Sequence, residues 1–288
     1  FYSDGAFMKL DLSARRNLEL TETMRGREKR GTLLWVLDKT NTSMGRRLLR
    51  AYIDRPLLDP VKIDKRLYAV EALLNDPMLS GDIAAELSGI HDLERMMTRI
   101  IFGNASPREY KTLAASAAHL PKLKSLLVGT QSALLSDICA RIDTLDDIKA
   151  LIDSAGIPKL KIGYNHVFGY YIEVSKSYQH LVPPEYIRKQ TLANGERYIT
   201  QELKELEEKV LGAHDKILVL EARLFEEVRA QIAAQVNRVQ AAADAVAALD
   251  VLNSFAEVSA RNNYCRPVVD MSDTIEITEG RHPVVERM

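Results

Sequence analysis

Two cysteines and one tryptophan in 288 residues, with 39 basic against 40 acidic side chains, already leave several classes of protein out. Cys139 and Cys265 fit no CxxC spacing, so neither a disulfide framework nor a thiolate metal site is indicated; both read as buried thiols on helices in a reducing compartment. A formal net charge of -1 means that no overall basic field announces a nucleic-acid partner, and any such site must be local. No run approaches eighteen apolar residues, which argues against a membrane-spanning helix. The opening FYSDGAFMKLDL lacks the basic-then-apolar build of a signal peptide, so a soluble, cytoplasmic protein is expected. Neither GxxxxGKS nor GxxxxGKT occurs, so no nucleotide hydrolysis is expected of this chain and no catalytic residue is assigned. The six histidines form no HExxH or comparable ligand spacing.

What is present is mostly helical punctuation. Thr42 or Ser43 can cap a helix carrying Leu48, Leu49, Tyr52 and Ile53. Asp59-Pro60 opens a helix to about Leu74, Asp92 one through Ile101, and Ser106-Pro107 one through His119. Leu134, Ile138, Ile142, Leu145, Ile148 and Ile152 stripe a further helix. Near Gly156 the period changes to two: Leu160, Ile162 and Tyr164, then Tyr170, Ile172 and Val174, predict a β-hairpin. A short strand is expected at 196–199, and Pro183-Pro184 bars the segment between from a central strand position.

Between Thr200 and Pro267 there is no proline and no glycine after Gly212, which allows one helix of about sixty residues, roughly 90 Å long. Leu203, Leu206, Val210, Ala213, Ile217, Leu220 and Leu224 step by three and four along it, a coiled-coil seam that requires a partner helix. Ile275 and Ile277 suggest a strand that breaks off abruptly.

Residues 156–200 hold six Lys/Arg against three Glu, and residues 201–230 hold five Lys/Arg against eight Asp/Glu. A basic cap with interleaved tyrosines thus precedes an acidic stem, and its Lys, Arg, Asn, Gln and Thr donors suit phosphate oxygens. A plain solvated surface, with the tyrosines packing the sheet, is the competing account. Phe225-Glu226-Glu227 has the form of a mismatch-reading tripeptide but lies inside the long helix, where it reads as coincidence.

Several blocks carry a resemblance. LDLSARRNLEL (10–20), TNTSMGRRLLRAYIDRPLLD (40–59), LKIGYNHVFGYYIEVSKS (160–177), RKQTLANGERYITQELKELEEKVL (188–211), LDVLNSFAEVSARNNYCRP (249–267) and ITEGRHPVVE (277–286) resemble, in order, the bacterial MutS family of DNA mismatch-repair proteins. The resemblance implies a mainly α fold, a helical lever bundle with long antiparallel coiled-coil arms tipped by a small antiparallel β-sheet. It divides the chain into a first part of the core or lever (1–155), a clamp (156–222), and a returning helix that ends the lever (223–288), ahead of an ATPase domain. It implies a tip facing duplex DNA backbone through Asn165, His166, Arg188, Lys189, Gln190, Thr191 and Asn194, with Ala193 where relatives place a lysine. It also implies that the family's mismatch reader and ATPase are not in this chain, so ATP and Mg, homodimerisation and a MutL-type partner belong to full-length members. Relatives carry several tens of residues before the strand matching PKLKIG, so residues are expected to be missing at 155/156. Two rival readings remain, a structural coiled-coil interaction module and a relative acting in another DNA transaction.

Overall fold

The computed structural model describes residues 7–154, 172–175, 180, 182–191, 195–199 and 201–288. The chain divides into two compact units, Phe1–Gly156 with Ala230–Met288, and Ile157–Arg229.

The first unit is helical. Its elements are α1 (Leu12–Asn17), α2 (Leu33–Leu37), α3 (Ser43–Asp54), α4 (Pro60–Leu74), α5 (Pro77–Ser88), α6 (Leu93–Ile101), α7 (Pro107–Ala117), α8 (Leu120–Leu127), α9 (Ala133–Arg141), α10 (Asp146–Ser154) and α12 (Val236–Asn262). The caps expected from sequence are formed. Thr42 accepts from the Gly45 N–H, Asp59 from Val61 and Lys62, and Asp92 from Arg95, while Ser106 and Glu109 make a reciprocal capping box. Each side chain supplies an acceptor to an amide that has no partner within its own helix.

The core is built around α12, which packs against α2, α3, α4, α5, α6 and α9. Fourteen of its residues are buried, from Val239 to Val258, on every side of the helix. A helix enclosed all round must be small and apolar all round, which is why AAADAVAALDVL shows no amphipathic stripe. The polar residues it does bury are tied to its neighbours. Asp250 accepts from the Asn41 N–H (2.9 Å), the Thr42 N–H (2.8 Å) and the Thr42 hydroxyl (2.7 Å) at the start of α3. Asn253 accepts from the Ser80 hydroxyl on α5 at 2.7 Å, and Ser254 donates to the Leu37 carbonyl at 2.8 Å while accepting from the Lys39 N–H. One helical turn thereby fixes three other elements, each through a satisfied buried polar group. A Cβ on Gly45 would overlap the Asp250 carboxylate, so glycine is what allows α12 to approach the first turn of α3. Burial pushes the Asp250 carboxyl above the usual range, against the pull of its four donors.

Ion pairs sit at the rim of this core. Arg47 on α3 donates to Asp92 at 2.6 Å and to Glu94, clamping the start of α6. Arg238 donates to Asp143 at 2.8 Å and Asp147 at 2.7 Å, holding the start of α12 against the turn between α9 and α10. Arg266, just past α12, pairs with Asp64 and Glu71 on α4 and lies over the Tyr68 ring at 4.1 Å.

Four expectations are corrected here. The stripe from Leu134 to Ile152 belongs to two helices, because residues 142–145 turn: the Asp143 carboxylate accepts the Leu145 N–H at 3.0 Å and Leu145 takes φ 54. Asp143 competes locally with helical hydrogen bonding, and Arg238 holds it there. The sixty-residue helix is also two helices, α11 (Gln201–Ala233) and α12, parted at Ala234-Gln235. No glycine or proline marks that joint; the Gln235 N–H reaches back only three residues, to Ile232, while the anchored Arg238 and buried Val239 set where α12 begins. Ile275 and Ile277 form no strand: they are 88% and 73% exposed, and a strand requires a hydrogen-bonded neighbour. Cys265 is exposed and lies beyond α12, which ends where Asn263 adopts a left-handed conformation; Cys139 is on α9 and half-buried.

In the second unit, β1 (Ile172–Ser175), β2 (Ile187–Thr191) and β3 (Gly195–Ile199) form an antiparallel sheet in the order β1-β3-β2. The strand expected at 196–199 is β3, and it is central among the described strands. β2, which follows Pro183-Pro184, pairs with β3 alone among the described residues. The first strand of the expected 160–174 hairpin and the 155/156 junction lie outside the described residues. Chain connectivity runs from β3 directly into α11.

Candidate nucleic-acid interface

The sheet brings four of the seven sequence-derived candidates onto one strand. Arg188, Lys189, Gln190 and Thr191 are consecutive on β2. Asn165, His166 and Asn194 lie outside the described residues, as does Ala193. β2 is not regular: Arg188 stands opposite Tyr198 and Gln190 opposite Arg197, so the register shifts at Lys189. A bulge of this kind puts two residues of one strand against one of the other and increases local twist. It occurs in the middle of the basic run.

The side chains around Arg188 form a small network that sequence reading did not find. Arg188 donates to Glu196 at 3.1 Å, and its side chain is still 62% exposed while that of Glu196 is 11% exposed. Tyr198 donates its hydroxyl to the other oxygen of Glu196 at 2.6 Å, and this bond, with burial, raises the Tyr198 hydroxyl above its usual range. The Tyr186 ring lies 6.2 Å from that of Tyr198, tilted by 57°. The tyrosines described here pack the sheet and hold its carboxylate, in line with the packing role expected for them. Thr191 is exposed at the end of the strand. The Glu196 carboxylate therefore answers part of the Arg188 charge, and the Arg188 side chain remains largely exposed. A sequence signal did exist: Arg188, Glu196 and Tyr198 all fall within one twelve-residue block, and the pairing of Arg188 with Tyr198 across β2 and β3 makes them neighbours.

On α11, Glu226 and Glu227 of the Phe-Glu-Glu tripeptide are engaged by Arg229 and Arg223 on the same helix. This is ordinary surface pairing. Among the described residues no group of three or more His, Cys, Asp or Glu could hold a metal ion, and no helix is long and apolar enough to cross a membrane.

Comparison with known proteins gives these features a family. The model for MutS domain III matches residues 13–256. The DNA mismatch repair protein MutS of Alkaliphilus oremlandii is 46% identical over 98% of this chain and 37% of its own length. That of Ruminiclostridium cellulolyticum is 44% identical over 100% of this chain and 38% of its own length, and that of Symbiobacterium thermophilum 43% over the same shares. The chain thus spans under two-fifths of the curated relatives it matches, and the alignment with the second of them runs to 335 positions against the 288 residues here. A helical unit and a small basic sheet carried in one chain, matched over nearly all its length at this identity, place the protein in the MutS family, over that family's domain III.

Proposed function

We propose that this chain supplies the lever and clamp portion of a DNA mismatch-repair protein, with the sheet of β1, β2 and β3 gripping the backbone of duplex DNA without sequence preference. The observation that carries this reading is the run of Arg188, Lys189, Gln190 and Thr191 along a strand with a single neighbour among the described residues. Donors of this kind suit phosphate oxygens, which position a protein on a duplex but hold no sequence information. The local excess of three positive charges in residues 156–200 favours a polyanion over a neutral partner.

In the whole protein the helical unit would pass ATP-driven changes to the sheet, mismatched DNA would be the target, and homodimerisation and a MutL-type partner would follow from the family. ATP and Mg are assigned to no residue of this chain, which contains no phosphate-binding GxxxxGKS or GxxxxGKT loop.

Fluorescence anisotropy with matched and mismatched duplexes tests the reading. The chain should bind both equally, in the non-specific range of about 10⁻⁴ to 10⁻⁶ M, and more weakly as salt rises. Arg188→Glu with Lys189→Glu should abolish binding to both alike. Unchanged binding at low salt would show that the sheet is not the grip.

A further inference from the structure

We infer that the turn at residues 23–30, on the helical unit, is a second contact for the backbone of duplex DNA. Residues 15–50 hold ten Lys/Arg against four Asp/Glu, while the rest of the chain holds 29 against 36. The densest positive stretch therefore lies here, in a chain that is otherwise acidic. Within the turn Arg25, Arg27, Lys29 and Arg30 stand against Glu28 alone, and all five are exposed. Among the described residues Arg25, Arg27 and Arg30 enter no ion pair.

The turn is closed by its own hydrogen bonds. The Thr23 N–H donates to the Glu28 carbonyl at 3.0 Å, the Glu28 N–H to the Thr23 hydroxyl at 3.1 Å, and the Arg27 N–H to the Thr23 carbonyl at 3.1 Å, with Arg27 at φ 51. Both ends are fixed: the Met24 N–H donates to Glu19 Oε1 at 2.6 Å, and the Thr32 hydroxyl donates to the Lys29 carbonyl at 2.7 Å. The backbone that carries the cations is thus ordered before a ligand arrives, which lowers the cost of binding. Helix α3 continues the face. Asp38, its side chain 2% exposed, is shared by Lys29 and by Arg46 at 3.3 Å, so one carboxylate joins two cations and leaves a positive charge in surplus. Arg50, one turn on from Arg46, has only long pairs, to Glu22 at 3.7 Å and Asp54 at 3.8 Å.

This chemistry selects a chain of phosphates. The guanidinium fork matches phosphate oxygens in pairs. A single phosphate is held by donors converging on a concave cradle, whereas exposed cations spread over a turn and a helix fit a ligand with regularly spaced charges. The choice of duplex DNA as that ligand rests on the reading proposed above. Three contacts alone hold a duplex weakly, so the turn adds to the grip of the sheet and does not replace it.

Trp35, the sole tryptophan, reports on the turn, because its N–H donates to the same Thr32 hydroxyl that holds Lys29. Matched duplex is titrated into three proteins: the 288-residue chain, a turn variant with Arg25→Gln, Arg27→Gln and Arg30→Gln, and a control with Arg108→Gln, Lys111→Gln and Lys122→Gln. The control loses the same charge from exposed sites on α7 and α8, and denaturation midpoints check that both variants keep the fold. Duplex should change the Trp35 emission of the parent and the control. The turn variant should lose that change, bind about tenfold more weakly at low salt, and show a salt slope smaller by about two to three, one for each phosphate given up. Equal weakening of the two variants, or none at the turn, overturns the site. An equal Trp35 change with poly-glutamate at the same charge concentration overturns the choice of DNA in favour of an acidic protein segment. The two readings fail separately. Binding that is lost with Arg188→Glu and Lys189→Glu but not in the turn variant removes this site and keeps the sheet; the reverse keeps this site and removes the sheet. A parent that binds no duplex removes both.

Discussion

Arg188 and Glu196 are joined at 3.1 Å, diagonally across the pairing of β2 with β3. A phosphate approaching this guanidinium meets a cation whose charge is already partly answered, so the carboxylate works against the polyanion. Glu196→Gln should raise affinity for duplex DNA about two- to fivefold at low salt and steepen the salt dependence by up to about one ion, since one more positive charge is left unneutralised. Tyr198 retains an acceptor in the amide oxygen. Lower affinity with the sheet intact would mean instead that Glu196 holds Arg188 in its gripping orientation.

Asp250 is the centre of the helical unit, and removing its acceptors strands four donors of Asn41 and Thr42 at the start of α3. Asp250→Ala should cost about 3 kcal/mol or more, read as a fall in the denaturation midpoint at unchanged slope. Gly45→Ala should cost about 1–3 kcal/mol by overpacking against the same carboxylate. If the two changes are made together, the added methyl meets only the remaining Cβ of position 250, at 2.8 Å, instead of the carboxylate, and the combined cost should be less than the sum.

Acid should loosen the rim before the centre. The hydrogen bond from Arg47, against some opposing burial, holds the Asp92 carboxyl below its usual range. A carboxylate depressed in the folded state contributes stability above its unfolded pKa and loses it as pH falls through the folded value. Arg47→Met should therefore be less stable than the parent at pH 7, by about 1 kcal/mol after allowance for solvent. The gap should close as pH drops through and below about 3.8, the ordinary carboxylate value. Asp250 runs the other way: its raised value adds stability at low pH that is lost as pH rises. Denaturation curves of parent and variant across that range give the test.

The two thiols should separate by reactivity. Cys265 is exposed and should react with an aromatic disulfide reagent at the rate of a free thiol, whereas Cys139 is half-buried and donates to the Lys124 carbonyl. Two equal fast phases would place Cys139 at the surface.

The parts of this structure legible in sequence are those set by neighbours in the chain. Thr42, Asp59, Asp92 and Ser106 cap the helices they precede because the amides they satisfy are two or three residues away. α12 hid from a search for stripes because a helix buried on all sides has none. The turns at 142–145 and 234–235 were invisible because Arg238 links them across about ninety residues of chain. At the sheet, the chemistry of Arg188 to Thr191 could be read directly, but the Arg188, Glu196 and Tyr198 network depends on the pairing of β2 with β3, which no composition reports.

The order of synthesis gives α12 a further consequence. The helices that wrap it are made first, and the strand of chain they wrap emerges only after residue 236. Until then α3, α4, α6 and α9 lack the helix that covers their inner faces, although α4 can meet α9 and α6 can meet α7, and those inner apolar faces stay open on the ribosome. This unit should therefore gain protease resistance in one late step as α12 emerges, rather than helix by helix, and nascent chains halted before that point should need chaperones to stay in solution.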